Sequence, residues 1–109
     1  MGSTIDYIEF VMDQLDRLPF VFRYKKMFGE YCVYANDKPI ILVCDNRVFV
    51  KMLPCIESIL SEADIDTPYN GAKPHYVLDV EDATLLSKVI PLLESNTPLP
   101  KPRKPKTKK

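Results

Sequence analysis

Two tight-turn signals close together in the middle of the chain constrain its fold most. One is Asn-Asp-Lys at residues 36–38, and the other is Asp-Asn at residues 45–46. Asn and Asp tolerate the left-handed backbone that two-residue hairpin turns require. The turns separate three segments of strand character, residues 31–35, 40–44 and 47–52. Consecutive strands with such short turns pair antiparallel, so the sequence predicts an antiparallel sheet.

Further segments extend this sheet to about five strands. Residues 21–28 alternate aromatic and basic side chains, which is typical of a strand, and another strand is predicted at residues 76–80. Residues 66–75 contain two prolines and an Asn-Gly pair, which predict an ordered loop. No internal repeat is visible in the sequence.

Apolar residues spaced three and four apart predict three helices around the sheet. Ser3 is expected to cap the first helix, Pro54 to start the second, and Asp82 to cap the last. Proline disfavours helical geometry and removes a hydrogen-bond donor, so Pro19 should end the first helix and Pro91 should kink or end the last. The predicted fold class is α+β, with two layers: an antiparallel sheet packed against helices.

The formal charge, zero overall, is divided unevenly along the chain. Residues 1–96 contain nine Lys/Arg and fifteen Asp/Glu, a net charge of −6, whereas residues 97–109 contain six Lys/Arg and no acid. We therefore expect one folded domain over residues 1–96 and a disordered, basic Pro/Lys-rich tail over residues 97–109.

The tail leaves two interpretations open. Its basic residues are Lys101, Arg103, Lys104, Lys106, Lys108 and Lys109. Such an arm can give weak, salt-sensitive affinity for nucleic acid, or it can serve only to keep the chain in solution.

Composition argues against metal, redox and membrane roles. Cys32, Cys44 and Cys55 lie too far apart for a zinc knuckle or a redox motif, so free thiols are expected. No apolar run approaches the roughly 18 residues of a membrane helix, and no secretory signal is recognisable. The expected location is the cytoplasm, with no membrane contact, no cofactor and no metal.

His75 is the only histidine, and it limits the catalytic options. A nucleophile–base pair needs this residue, but its position at a strand start favours a structural, hydrogen-bonded histidine. The segment from Gly71 to Pro74 is not a phosphate loop, because proline rather than Ser or Thr follows Lys73. We predict no catalytic residue and no enzymatic activity; a small enzyme using His75 and a cysteine is the minor alternative.

Three blocks of sequence resemble one known family. KKMFGEYCVY at residues 25–34, ILVCDNRVFVK at residues 41–51 and TPYNGAKPHYVL at residues 67–78 are similar to the N-terminal domain of the TfoX/Sxy family. The resemblance covers roughly residues 3–95. It implies a two-layer domain with an antiparallel sheet, similar to secretion-chaperone-like folds. It also implies a link to bacterial natural competence, in which the founding members help the cyclic-AMP receptor protein activate DNA-uptake genes.

The sequence differs from those regulators in one respect. We expect the basic tail in place of the helical second domain, so the chain resembles the stand-alone members of the family. We expect a non-enzymatic, cytosolic regulatory or protein-binding module whose protein partner is not specified by the sequence. The alternative is weak, non-specific nucleic-acid association through the tail.

The matching blocks also mark candidate binding residues. We expect Met27 and Phe28 to pack under the first helix and Gly29 to allow a turn. Tyrosines at positions 31, 34 and 69 suit a surface or an interface, because they are amphipathic. The candidates are Lys25, Lys26, Met27, Phe28, Gly29, Tyr31, Arg47, Lys51, Tyr69, Gly71, Lys73 and Pro74.

Overall fold

A computed structural model describes residues 3–27 and 29–99 and has an α+β fold. Within these residues, two α-helices and a short 3-10 turn pack on a six-stranded antiparallel sheet, which confirms the predicted fold class. The elements are α1 (Ile5–Leu15), β1 (Phe22–Met27), β2 (Glu30–Ala35), β3 (Lys38–Cys44), β4 (Arg47–Lys51), the 3-10 turn (Pro54–Ile56), β5 (Ile65–Asp66), β6 (His75–Leu78) and α2 (Ala83–Asn96). Phe28 and the predicted tail from residue 100 onward lie outside the described residues.

The strands lie in the order β1-β2-β3-β4-β6-β5, and every neighbouring pair is antiparallel. The sixth strand, β5, pairs Ile65 with Tyr76 and Asp66 with His75. A two-residue strand is too short for an alternating pattern to reveal it, which explains why the sequence predicts only about five strands.

Both predicted hairpin turns are confirmed by their backbone geometry. Asn36 and Asp37 have φ angles of 50° and 67°, and Asp45 and Asn46 have φ angles of 55° and 56°. Two consecutive residues with positive φ define the type I′ turn, whose twist matches that of the flanking strands. Local side-chain chemistry therefore sets the β2–β3 and β3–β4 connections.

The main core lies between the helices and one face of the sheet, which we call the inner face. Alternate strand residues point toward this side, and they form one contiguous cluster with the apolar faces of both helices. Fully buried members from the sheet include Val33, Val43, Val48 and Val50, and those from the helices include Ile8, Val11, Leu15, Val89 and Ile90.

The predicted second helix is wrong. After the 3-10 turn, residues 57–62 continue as turns rather than as an α-helix. The Glu57 amide donates to the Pro54 carbonyl and the Ala63 amide to the Leu60 carbonyl, both three residues back along the chain. Ile56 and Leu60 are nevertheless buried in the core, so this segment buries its apolar side chains without forming a regular helix.

The predicted helix ends need three corrections, and one is that α1 ends at Leu15, before Pro19. Thr4, not Ser3, caps α1: its hydroxyl accepts a hydrogen bond of 3.2 Å from the Tyr7 amide. Helix α2 is capped by Asp82 as predicted, but it does not end at Pro91 and continues to Asn96. The helix continues past Pro91 because the nearby side chains Ile90 and Leu93 are fully buried, and their packing outweighs one lost backbone hydrogen bond.

Across residues 3–27 and 29–99, neither helix has the length and apolar character needed to span a bilayer.

Candidate functional site

The second face of the sheet, which we call the outer face, is the candidate site. Strand register aligns five residues in one row across β1, β2, β3, β4 and β6, and we call this the outer row: Lys25, Cys32, Leu42, Phe49 and Val77. Cys32 and Phe49 are only 5% and 1% exposed, yet neither belongs to the main core cluster. The described helices therefore do not bury them, and the outer face has a small apolar surface of its own.

Arginine side chains cover part of this apolar surface. The Arg47 guanidinium carbon lies 4.9 Å from the centre of the Phe49 ring, and that of Arg23 lies 4.5 Å from the centre of the Tyr34 ring. Guanidinium groups interact favourably with aromatic faces, and their aliphatic stems cover apolar neighbours. The outer face is thus closed by charged side chains instead of by a packed element.

Each of these arginines is held by a carboxylate. Arg23 Nε donates to Asp37 Oδ1 at 3.0 Å, and an Arg47 terminal nitrogen (NH1) donates to Asp66 Oδ2 at 3.0 Å. The bond from Arg47 and a second bond from the Thr67 amide lower the pKa of the Asp66 carboxyl. The two ion pairs hold Arg23 and Arg47 over the aromatic rings, and the carboxylates compensate most of the positive charge of the arginines.

Lys25 and Lys51 remain as exposed cations on the same face. Within residues 3–27 and 29–99, neither lysine forms an ion pair. Lys25 lies opposite Cys32, and Lys51 lies opposite His75, so the two ammonium groups border the apolar surface from different sides.

A shallow cleft of about 110 Å³ opens on the outer face, with Lys51 in its wall. Its walls include Cys32, Leu42, Phe49, Lys51 and His75. Pockets for metabolites or cofactors have volumes of roughly 300–1,000 Å³. A cavity of roughly 150 Å³ accommodates a benzene ring. The cleft therefore has room for one aliphatic side chain and is too small for a cofactor.

The thiols at this face are protonated at neutral pH. Burial raises the pKa of the Cys32 thiol above its ordinary value. Burial, and secondarily the Glu30 carboxylate, raises the pKa of Cys44 to about 11. Thiolate is the nucleophilic and metal-binding form, so neither cysteine is activated.

Cys32 and His75 do not form a nucleophile–base pair, although both line the cleft. Strands β3 and β4 separate β2 from β6, and at about 4.8 Å per strand step the two backbones are about 14 Å apart. The His75 Nδ1 atom instead donates to the Lys73 carbonyl oxygen at 2.8 Å. His75 has the hydrogen-bonded, structural role that its position in the sequence predicts.

The predicted candidates from the first block separate between the two sides of the sheet. Lys25 belongs to the outer row, whereas Lys26 lies opposite Tyr31 and shares its side of the sheet. Tyr31 is 4% exposed and packs edge-on against Tyr24, with ring centres 5.5 Å apart, so its predicted surface position is wrong. Met27 does not pack under α1 as predicted: it lies at the end of edge strand β1 and is 37% exposed.

The Gly-Glu step after Phe28 is a structural junction. Gly29 has a φ angle of 82°, and its carbonyl accepts a hydrogen bond from the Ser3 amide. Glu30 Oε1 accepts bonds from the Ser3 amide, the Ser3 hydroxyl and the Asp45 amide, at 3.0–3.2 Å. The Asn46 amide in turn donates to the Ser3 hydroxyl. These hydrogen bonds connect the start of α1 to two turns. Sequence reasoning missed Glu30, because its partners are distant along the chain and no local pattern predicts such contacts.

The remaining candidates lie in and beside the loop before β6. Tyr69 is 59% exposed, and Gly71 has a φ angle of 90°. Lys73 and Pro74 directly precede His75, and Lys73 contacts it through the carbonyl group described above. Arg47 and Lys51 are in β4: Lys51 lies opposite His75, which follows the loop, and Arg47 bonds to Asp66, which precedes it.

Sequence reasoning also missed the apolar part of the outer face. Cys32, Leu42 and Phe49 lie in strands whose other residues are apolar too, so no alternation distinguishes their side of the sheet. The sequence did contain one indication: β2, β3 and β4 are apolar on both faces. A sheet with one face in solvent needs apolar residues on only one face.

A wider depression of about 480 Å³ lies beside the start of α2. Its walls include the acidic residues Glu62, Asp64, Asp79 and Asp82. Over the described ranges, no three His, Cys, Asp or Glu side chains are arranged to hold a metal ion. The Asp82 carboxylate is already used as the cap of α2.

Comparison with known proteins places the chain in a family. No protein-family model matches it. It is similar to a protein described as "Uncharacterized 12.7 kDa protein in trpE 5'region" from Spirochaeta aurantia. The two are 36% identical over 110 residues, which span 99% of this chain and 95% of that protein. The chain belongs to the same family as this spirochaete protein.

Proposed function

We propose that this protein is a non-enzymatic, cytoplasmic protein-binding module of the TfoX/Sxy N-terminal type, which binds an acidic protein partner on the outer face of its sheet. The resemblance of its sequence blocks to TfoX/Sxy supports the type. The first block forms most of the β1–β2 hairpin, the second covers the β3–β4 hairpin, and the third runs from the loop through β6. All three blocks contribute to the outer face.

The observation that carries the proposal is the apolar surface bordered by cations. Cys32, Leu42 and Phe49 form an apolar strip on the side of the sheet away from the described helices, with half-buried Leu42 as its accessible part and Lys25 and Lys51 on its borders. A central apolar area with a polar rim is typical of protein interfaces.

The charge distribution indicates the character of the partner. Helix α1 exposes Asp6, Glu9 and Asp13 on the opposite side of the molecule, so the overall negative charge of residues 1–96 is not shared by the outer face. The free cations there favour a partner that presents carboxylates, since complementary charge speeds encounter and excludes unsuitable partners.

A protein fits this face better than a nucleic acid. Single-stranded nucleic acids stack their bases on exposed aromatic rings. The Phe49 ring is 1% exposed, and the Tyr34 ring is covered by Arg23. Asp37 and Asp66 would in addition repel phosphate groups that approach the two arginines.

Affinity capture with charge-reversed variants tests the proposal. The full-length protein, a Lys25→Glu/Lys51→Glu variant and an Arg17→Glu/Lys88→Glu variant are immobilised and exposed to an extract of the native cells. The two variants carry the same charge change, and Arg17 and Lys88 are exposed residues in or beside the helices. We expect proteins that the wild type and the Arg17/Lys88 variant retain and the Lys25/Lys51 variant loses. Identical retention by all three, or retained material that nuclease removes, would overturn the proposal.

A further inference from the structure

We propose that the outer face recognises an extended acidic segment of the partner in which an aliphatic residue is flanked by Asp or Glu two positions away on each side. The aliphatic side chain enters the cleft, and the two carboxylates bind Lys25 and Lys51. This inference rests on the proposed function and specifies its partner.

The size and walls of the cleft define the central residue. Leu42 and Phe49 give it apolar walls, and its volume of about 110 Å³ suits one aliphatic side chain. Interfaces often concentrate their binding energy in one such anchor that fills a small, dehydrated pocket. A branched aliphatic side chain such as leucine fits this space, whereas indole is too large.

The position of the two lysines defines the spacing of the carboxylates. Lys25 lies on β1 and Lys51 on β4, three strand steps away. The register aligns Lys25 with Phe49, so Lys51 is offset by two residues along β4. At about 4.8 Å per step and 3.3 Å per residue, their Cα atoms are about 16 Å apart. The cleft has Lys51 in its wall and extends to Cys32, the residue opposite Lys25.

An extended segment matches this spacing. Residues two before and two after a central residue are about 13 Å apart along a strand, and the flexible lysine side chains close the remaining gap. These residues also project to the same side as the central one. Carboxylates at the adjacent positions would instead point away from the sheet. The face therefore selects for the order of residues as well as for the composition.

Lys25 and Lys51 are the cations available for this role. Arg23 and Arg47 are paired with Asp37 and Asp66 and lie over aromatic rings. Moving either arginine would expose a ring and break an ion pair. The lysines have neither constraint.

Two peptides of identical composition provide the probe. The first is acetyl-Gly-Glu-Ser-Leu-Ser-Glu-Gly-amide, and the second is acetyl-Gly-Ser-Glu-Leu-Glu-Ser-Gly-amide, in which the acidic residues adjoin leucine. Each is titrated into isotopically labelled full-length protein, and backbone amide NMR shifts are recorded. Both peptides carry the same charge, so the basic residues beyond position 100 attract them equally.

We expect the first peptide to shift the amides of Leu42, Phe49 and Lys51 and to bind at least about fivefold more tightly than the second. Replacing its leucine by alanine should weaken binding by about tenfold or more. Lys51→Glu should remove the preference for the first peptide, while Lys88→Glu should leave it unchanged.

Equal binding of the two peptides, or shifts confined to residues outside the outer face, would overturn this inference. The proposed function would then still stand if the capture experiment shows dependence on Lys25 and Lys51. If capture shows no such dependence, the proposed function fails independently of the peptide result.

Discussion

Gly29 illustrates how much of this molecule depends on single residues. Its φ angle of 82° lies in the left-handed region, where side chains are disfavoured. The turn it allows brings Glu30 to the start of α1 and to the β3–β4 turn. The Gly29-Glu30 step is therefore a junction between the start of α1, the β1–β2 connection and the β3–β4 turn.

Replacing Gly29 by valine should lower the free energy of unfolding by about 1–3 kcal/mol, because a β-branched side chain strains this backbone conformation. Urea denaturation of the two proteins measures the difference. Gly29→Asn is the matched control and should cost less, since asparagine tolerates the left-handed region. Equal losses for both variants would show that space, and not backbone conformation, limits this position.

Cys44 provides a prediction about pH. Its pKa is about 11 in the folded protein, above the ordinary value of 9.0, so the unfolded chain loses this proton first. Stability should therefore be unaffected by this thiol below pH 9 and should fall as the pH rises from 9 toward 11. Urea unfolding of the wild type and of Cys44→Ala, near pH 8 and near pH 10, isolates the effect. The wild type should lose more stability than the variant, and parallel losses would contradict the raised pKa.

At the scale of secondary-structure elements, α2 contains an internal proline that the core tolerates. Pro91 lacks the amide that would donate to the Ser87 carbonyl in an uninterrupted helix. Pro91→Ala should restore this bond and raise the free energy of unfolding by about 1–3 kcal/mol. Thermal and urea denaturation measure the change. A loss of stability would show that the proline ring itself contributes more by packing than the helix gains.

The hairpins were predictable and the remaining connections were not, for physical reasons. The turns at Asn36-Asp37 and Asp45-Asn46 depend on residues within the turns themselves, so their chemistry is visible in the sequence. Strand β5 and the turns after Pro54 depend on contacts with β6 and α2, which are distant along the chain. Local patterns hold no information about such contacts.

The candidate site was predictable only in part. Lys25, Arg47 and Lys51 were identified from the sequence blocks and do lie on one face. The side of the sheet on which Tyr31 and Cys32 lie was not predictable, because register decides it and a one-residue slip reverses both faces. The irregularity between Val33 and Tyr34, where the β2–β3 pairing shifts, shows how sensitive the register is.

At the scale of the whole molecule, the charge is separated between parts. Residues 1–96 carry a net charge of −6, and residues 97–109 carry six Lys/Arg. The outer face, whose Lys25 and Lys51 form no ion pair with any described residue, differs from the acidic surface of α1. A polyanion therefore meets repulsion from most of the body and attraction from residues 97–109.

Deleting residues 97–109 should separate the two interpretations of the basic tail. We expect weak, sequence-independent binding of duplex DNA by the full chain, with a log–log salt slope near −5 if all six cations engage. The truncated protein should not bind DNA, and its melting temperature should be nearly unchanged. Fluorescence anisotropy at several salt concentrations measures the binding. DNA binding by the truncated protein would show that the body has a nucleic-acid surface, and no binding by either form would leave the tail a solubilising segment.

Photo-crosslinking tests whether the outer face contacts a protein in the cell. A photoreactive phenylalanine derivative is placed at Leu42, a half-buried residue of the outer row, and, as a control, at Lys88 on the exposed side of α2. The full-length variants are expressed in the native cells and irradiated. The claim predicts a protease-sensitive, nuclease-resistant crosslinked species from position 42 and none from position 88. Crosslinks from position 88 alone, or nuclease-sensitive products from position 42, would contradict it.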